Sequence, residues 1–292
     1  MHSTPETQLA TPETQLATPE TQLATSETQL AIPEIQLGHA LFSIVEPEPG
    51  HARAFNRWYE RDHFFAGCMV GAHFFSGRRW VATARLKQLR FPDDNPITPH
   101  ARGSLLVLYW MLKGRYEQAV DWAVQQVQQL HRQGRMDPRR DNVSTAFHEH
   151  RWSVSRDADG VPVELALEHP FPGLAAIMVE HAPGLEPTAF ESRCREQLLP
   201  SWLGDSAAAL AVCLKPQPLP AGAPGNVPRA GQEEEARRYL WLVFLDRDPG
   251  DCWTPLLPAL DRNLREQELG RVVWAAPFIP TIPGTDTYMD EL

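Results

Sequence analysis

Between residues 41 and 279 the chain runs through one pattern of apolar runs, amphipathic stretches and turn residues twice, in the same order. In the first pass, 41–46 reads as a short strand closed by Pro47, Glu48, Pro49 and Gly50. A helix follows over 51–66, then strand composition over 73–84 with Phe74, Phe75, Trp80 and Val81. Residues 105–112 are a continuous apolar run suited to a central strand. Residues 116–133 repeat Ala119, Val120, Ala123, Val124, Val127 and Leu130 at helical spacing, and 145–155 alternates like a strand. The second pass gives strands at 175–180, 208–214, 238–246 and 271–279, with helices at 188–199 and 253–269. Landmarks agree as well as elements. Ile44-Val45-Glu46 through Pro49-Gly50 matches Met178-Val179-Glu180 through Pro183-Gly184, and the run from Leu105 to Tyr109 matches the run from Leu240 to Phe244.

A β-α-β-β-α-β unit makes a four-stranded antiparallel sheet with both helices on one face, leaving the other face bare. Two units on one chain cover both bare faces by packing sheet against sheet. The expected fold is therefore α+β: tandem ferredoxin-like units closing an intrachain pseudo-dimeric α/β barrel with its helices outside. The expected boundaries are a tail over 1–38, a first unit over 39–158 and a second over 159–292. The tail is five copies of a heptad, three of them identical TPETQLA, with one leucine per copy and proline in four of the five. So sparse an apolar pattern, broken by proline, reads as disordered rather than coiled-coil.

The totals exclude several classes. Across 292 residues the net charge is −10, which argues against nucleic acid or an anionic membrane as partner. No apolar run is long enough to span a membrane. Cys68, Cys194, Cys213 and Cys252 are far apart without C-x-x-C spacing, pointing to neither a disulfide framework nor a zinc site, but to a reducing cytoplasm. G-x-G-x-x-G, P-loop, G-x-S-x-G and H-E-x-x-H patterns are absent, so nucleotide-dependent and serine-hydrolase chemistry have no support.

The functional clue lies in the first helix. Phe55, Tyr59 and His63 recur every four residues, with Asn56 seven before His63, so a phenol, an imidazole and an amide share the face that should be buried. Arg53, Arg57 and Arg61 form the opposite stripe. Other candidates for the walls of a site are Trp58, Phe64, His73 and Tyr109, and the strand His148-Glu149-His150-Arg151-Trp152, on which His148, His150 and Trp152 share one face. That H-x-H pair has no carboxylate placed by any motif to complete a metal site, and no metal is expected. Arg78 and Arg79 fall on opposite faces of the second strand, and a solvated edge is the expectation for both.

The run Phe55-Asn56-Arg57-Trp58-Tyr59-Glu60-Arg61-Asp62-His63, after a short strand and a Pro-Gly turn, resembles the N-x-W-Y-x-x-x-H signature of EthD-like proteins of the dimeric α/β-barrel superfamily. The likeness of motif covers about 20 residues of the first half. It implies small-molecule chemistry in a pocket between sheet and helices. Asn56, Trp58, Tyr59 and His63 stand at the motif positions. His63 would then move a proton, and Tyr59 and Asn56 would hold a carbonyl or phenolate oxygen. Aligned at Phe190, the second helix has Glu191, Cys194 and Leu198 where the first has Asn56, Tyr59 and His63, so the second unit is expected to be mainly structural.

The leading expectation is a cytoplasmic, cofactor-free enzyme of lyase, cyclase or isomerase type. It would act on an apolar or aromatic carbonyl or phenolic compound, polyketide-like in character. One alternative is a haem protein with His63, His148 or His150 as axial ligand. Another is a non-catalytic small-molecule-binding protein. A homo-oligomer of such barrels is left open.

Overall fold

The computed structural model describes residues 35–95, 99–204, 206–218 and 236–292. The heptad tail up to residue 34, and the acidic loop over 219–235, lie outside the described residues. Strands β1 (Leu37–Pro47), β2 (Phe74–Val81), β3 (Leu105–Leu112) and β4 (Arg140–Ser155) belong to the first unit. β5 (Gly173–His181), β6 (Ala208–Pro216), β7 (Arg238–Leu245) and β8 (Gly270–Pro280) belong to the second. They close one antiparallel barrel in the order β1-β3-β2-β8-β5-β7-β6-β4. Each unit thus contributes its strands in the same internal order, fourth-first-third-second. The sheets meet at two seams, where the second strand of one unit lies beside the fourth strand of the other.

The seams are unequal. β4 pairs β6 from His148↔Pro216 to Ser155↔Leu210, whereas β2 pairs β8 only through Trp80↔Pro280 and Val81↔Ile279. Beyond that point Phe91 takes over as neighbour of β8, exchanging backbone hydrogen bonds with Ala275. It is presented there by α2 (Ala84–Lys87).

β1 begins four residues before the expected strand, inside the last heptad copy. The reason is a close approach: a Cβ on Gly38 would sit 2.4 Å from the Lys113 Cα, so this end of β1 reaches the β3 turn only with glycine. The barrel interior is solid. Trp80, Trp110, Trp274, Phe244 and Phe278 are fully buried, and the segment before β5 closes over them. Phe171 packs on Phe244 at 5.2 Å, Trp110 Nε1 donates to the Val163 carbonyl, and Arg78 donates to the Leu167 carbonyl. Arg78 is accordingly tied to this segment rather than free at a solvated edge.

Outside the barrel, α1 (Ala52–Trp58) and α3 (Tyr116–Arg132) cover the first sheet. α4 (Pro187–Arg193), α5 (Leu199–Gly204) and α6 (Pro249–Glu266) cover the second. α1 does not stop at Trp58. It widens into two consecutive π turns, Tyr59–His63 and Phe65–Met69. α4 does the same over Cys194–Leu198, the aligned stretch of the second half. Residues 281–292 then cross back over α1, where Asn56 Nδ2 donates to the Thr285 carbonyl and Arg57 pairs with Asp286. The four cysteines are buried and free. Among the described residues no helix is long and apolar enough to cross a membrane.

Candidate functional site

The site follows from how α1 is wound. Phe64 N–H bonds to the Tyr59 carbonyl, an i→i+5 turn. Such widening shifts the phase of every later side chain, so the seven-residue step from Asn56 to His63 no longer returns to the same line. Tyr59 and His63 line a hollow of about 860 Å³ between α1, α3 and the outer face of β1 and β4. Asn56 instead turns toward β2. Its Oδ1 accepts from Arg79 Nη1 at 2.8 Å while its amide donates to the C-terminal segment.

Arg79 corrects the expectation of a solvated edge. It is buried, lies 3.1 Å from Glu60 Oε1, and stacks its guanidinium over the Tyr59 ring at 4.9 Å. The carboxylate and the amide hold this buried cation as a wedge against one face of Tyr59.

The Tyr59 hydroxyl lies 3.4 Å from that of Tyr109, and both rings border the hollow. Burial pushes the Tyr59 phenol up to about 12 and raises Tyr109 well above the usual range. Both therefore stay protonated, as hydrogen-bond donors. His63 stacks on Trp58 at 4.7 Å and meets Tyr59 edge-on at 5.0 Å. Its Nδ1 is shielded and has no hydrogen-bond partner among the described residues. Desolvation, and then the nearby Arg140 guanidinium, lower its pKa to about 3 against a smaller opposing effect of Asp62. The imidazole is neutral at physiological pH. Burial also raises the Cys68 thiol, so it is no nucleophile.

The rest of the wall comes from α3 (Ala123, Val124, Val127), from Leu41 and Phe147 on the strands, and from Asp137 and Arg140 at the start of β4. The hollow opens where His131, Arg132 and Gly134 are exposed. Trp58 supports it from behind, with its Nε1 donating to the Arg135 carbonyl at 2.7 Å. Phe64 packs on Tyr109 at 5.2 Å. Neither Phe64 nor His73 lines the hollow.

The β4 histidines are elsewhere. Thr145 and Phe147 face the hollow, so by the two-residue period of a strand His148 faces the barrel interior. It is buried edge-on to Phe42, and burial lowers its pKa to about 4. The single face expected for His148, His150 and Trp152 is broken. The register shifts between His150 and Trp152, and this bulge sends Trp152 to the helix side of the second sheet, 6.3 Å from Trp241. His150 Nε2 meets Ser153 Oγ at 2.8 Å. Of the three histidines considered for haem, only His63 reaches the hollow; His148 and His150 do not fit that role. Among the described residues no group of three or more His, Cys, Asp or Glu is arranged to hold a metal ion.

Sequence reasoning passed over Gly67 and Arg140. Extending the alignment of Phe55 with Phe190 without a gap pairs Gly67 with Trp202. That was the available signal for a void in one half and a plug in the other. Arg140 carried no signal, because it stands outside every motif.

No family model matches the chain, and no curated protein matches it. Three solved structures illustrate its distant likenesses. An anthrone oxidase-like protein aligns at 9% identity and TM-score 0.48, covering 87% of this chain and 97% of that one. A dye-decolorizing peroxidase from Bacteroides thetaiotaomicron VPI-5482 aligns at 9% and 0.48, covering 84% and 93%. A single-residue variant of DypB from Rhodococcus jostii RHA1, in complex with heme, aligns at 12% and 0.42, covering 86% and 95%. At these TM-scores and identities no activity, cofactor or residue role passes to this chain.

Proposed function

We propose that this chain is an EthD-like, small-molecule enzyme working by proton transfer without a cofactor, with its site in the first unit. The reaction class is dehydration, cyclisation or isomerisation of an apolar or aromatic carbonyl or phenolic compound. One observation carries the reading: His63 and Tyr59 stand side by side on the wall of a hollow, with the Tyr109 hydroxyl 3.4 Å from that of Tyr59.

In this mechanism the neutral imidazole takes a proton from the carbon next to a carbonyl. The two bonding electrons move onto the oxygen, which accepts a hydrogen bond from the Tyr59 hydroxyl, while the Tyr109 hydroxyl points to the Phe64 carbonyl at 3.5 Å. The imidazolium and the enolate then neutralise each other, and this pairing raises the otherwise low proton affinity of His63 at the moment it is needed. Returning the proton to a leaving hydroxyl completes a dehydration; returning it to another carbon completes an isomerisation. A bound apolar ligand displaces solvent from Ala123, Val124 and Val127 of α3. Asn56 acts indirectly, by holding Arg79 against Tyr59.

The test is deuterium exchange at the α-carbon of aromatic β-hydroxy ketones in D2O, followed by NMR. Wild-type protein is expected to catalyse exchange at a rate that is flat across neutral pH and falls only as His63 protonates, near pH 3, and His63→Gln to abolish it. An unchanged profile in His63→Gln overturns the assignment. A Soret band in the purified protein overturns the cofactor-free reading.

A further inference from the structure

Arg140 lines the hollow and makes no salt bridge among the described residues. It opens β4 opposite Pro47, and its guanidinium lies over the Trp58 ring at 5.0 Å and the Phe55 ring at 5.9 Å. Its side chain makes one hydrogen bond, from Nη1 to the Asp137 carbonyl. The Asp137 carboxylate is bound directly by Arg139, through its backbone N–H, Nε and Nη2 at 2.9–3.0 Å, and it attracts Arg140 without forming a salt bridge. Arg140 is half-buried, and the fully buried arginines are held differently. Arg79 has Glu60, Arg238 has Glu180, and Arg90 has the carbonyls of His100, Arg102 and Gly103.

A half-buried cation with donors left over has room for an anionic partner, and a guanidinium matches a planar oxyanion through its fork of donors. Arg132 adds a second cation at the mouth. The lining thus carries two cations, Arg132 and Arg140, against one carboxylate, Asp137, although the whole chain carries −10. Its other walls are the apolar faces of Val124, Val127, Leu41 and Phe147.

We infer that the hollow takes an organic anion, a flat apolar molecule whose delocalised oxyanion, carboxylate or phenolate, sits on the Arg140 guanidinium. The inference rests on this hollow being the substrate site, and it narrows the substrate class. Tyr59 and His63 would face the uncharged body of the ligand, where the proton moves.

The experiment is calorimetric titration of the full chain with 2-naphthoate, with 2,4-dinitro-1-naphtholate and with neutral 2-naphthamide. At least one anion is expected to bind about tenfold or more tightly than the amide, and which one does so separates carboxylate from phenolate recognition. Arg140→Met is expected to abolish the preference while amide affinity stays within about twofold. Arg140→Lys is expected to keep part of it, since charge remains but the fork is lost. Thermal unfolding of each variant checks that it is folded. Equal binding of anions and amide, or a preference that survives Arg140→Met, overturns the inference. Val127→Trp separates it from the site reading. If Val127→Trp removes binding of all probes but no anion preference exists, the hollow is a site and only the anion inference fails. If no probe binds, or Val127→Trp changes nothing, the site reading fails with it.

Discussion

The two helix-covered faces of the barrel share one plan and are filled in opposite ways. Behind the second sheet, α4, α5 and α6 pack Leu198, Trp202, Leu256, Leu257 and Leu260 into a buried layer against Trp241. Behind the first, the aligned positions of α1 hold His63 and Gly67, and α3 offers Ala123, Val124 and Val127 where α6 offers leucines. Trp202 fills its space and donates from Nε1 to the Leu256 carbonyl at 3.2 Å. The counterpart of that space in the first half is the hollow. The hollow, about 860 Å³, opens to solvent beside His131, Arg132 and Gly134. The hollow is therefore a place for solvent or ligand.

The comparison breaks most visibly at the paired positions His63 and Leu198. His63→Gln is expected to lower α-proton exchange by ~10²–10⁴-fold with little change in unfolding midpoint. Leu198→Ala is expected to cost ~2–5 kcal/mol of stability and leave the exchange rate per folded molecule unchanged. Parallel kinetics and chemical denaturation of the two variants check this, and a loss of stability for His63→Gln as large as for Leu198→Ala would erase the distinction.

Exchanging plug and void comes next. Trp202→Gly should destabilise by ~3–5 kcal/mol in urea unfolding. Gly67→Trp should instead block probe binding. The space exists, since a Cβ on Gly67 would meet His63 Cε1 at an ordinary 3.5 Å. Removing Glu60 attacks the wedge behind Tyr59. Glu60→Ala strands Arg79 in a buried position, and a loss of about 3 kcal/mol is expected. Asn56 remains as its partner, so a double variant with Asn56→Ala should lose more.

Acid sharpens the comparison further. His63 and His148 have folded pKa values lowered to about 3 and about 4, against about 6.5 when unfolded. Below that unfolded value the unfolded chain binds more protons, so stability falls as pH drops from about 6.5 toward 4. Melting temperature against pH should show this slope in the wild type and a shallower one in His63→Gln. The smallest effect belongs to the exposed pair over α1. Arg57→Ala, facing Asp286, should change stability by less than ~1 kcal/mol.

Much of this was legible in the residues. Each expected strand and helix in the described residues is present, and Leu105–Leu112 matches to the residue, because a continuous apolar run between turn signals leaves few alternatives. The stripe carrying Phe55, Tyr59 and His63 does face inward. Asn56 does not share it, since a π turn is set by packing and leaves no mark in a 3.6-residue periodicity. His148 and Trp152 were placed on one face by the rule of alternation, and a bulge at their shared strand separated them.

Taken alone, the sequence determined the doubled unit, and with it the barrel, because each sheet has a bare face that only its twin can cover. It also determined which copy holds polar side chains on its first helix. Tertiary structure alone decided that Gly67 and the small residues of α3 open onto one hollow, and that Arg140 lines it without a salt bridge. Those relations depend on distances between segments far apart in the chain, and a linear pattern records only neighbours along it.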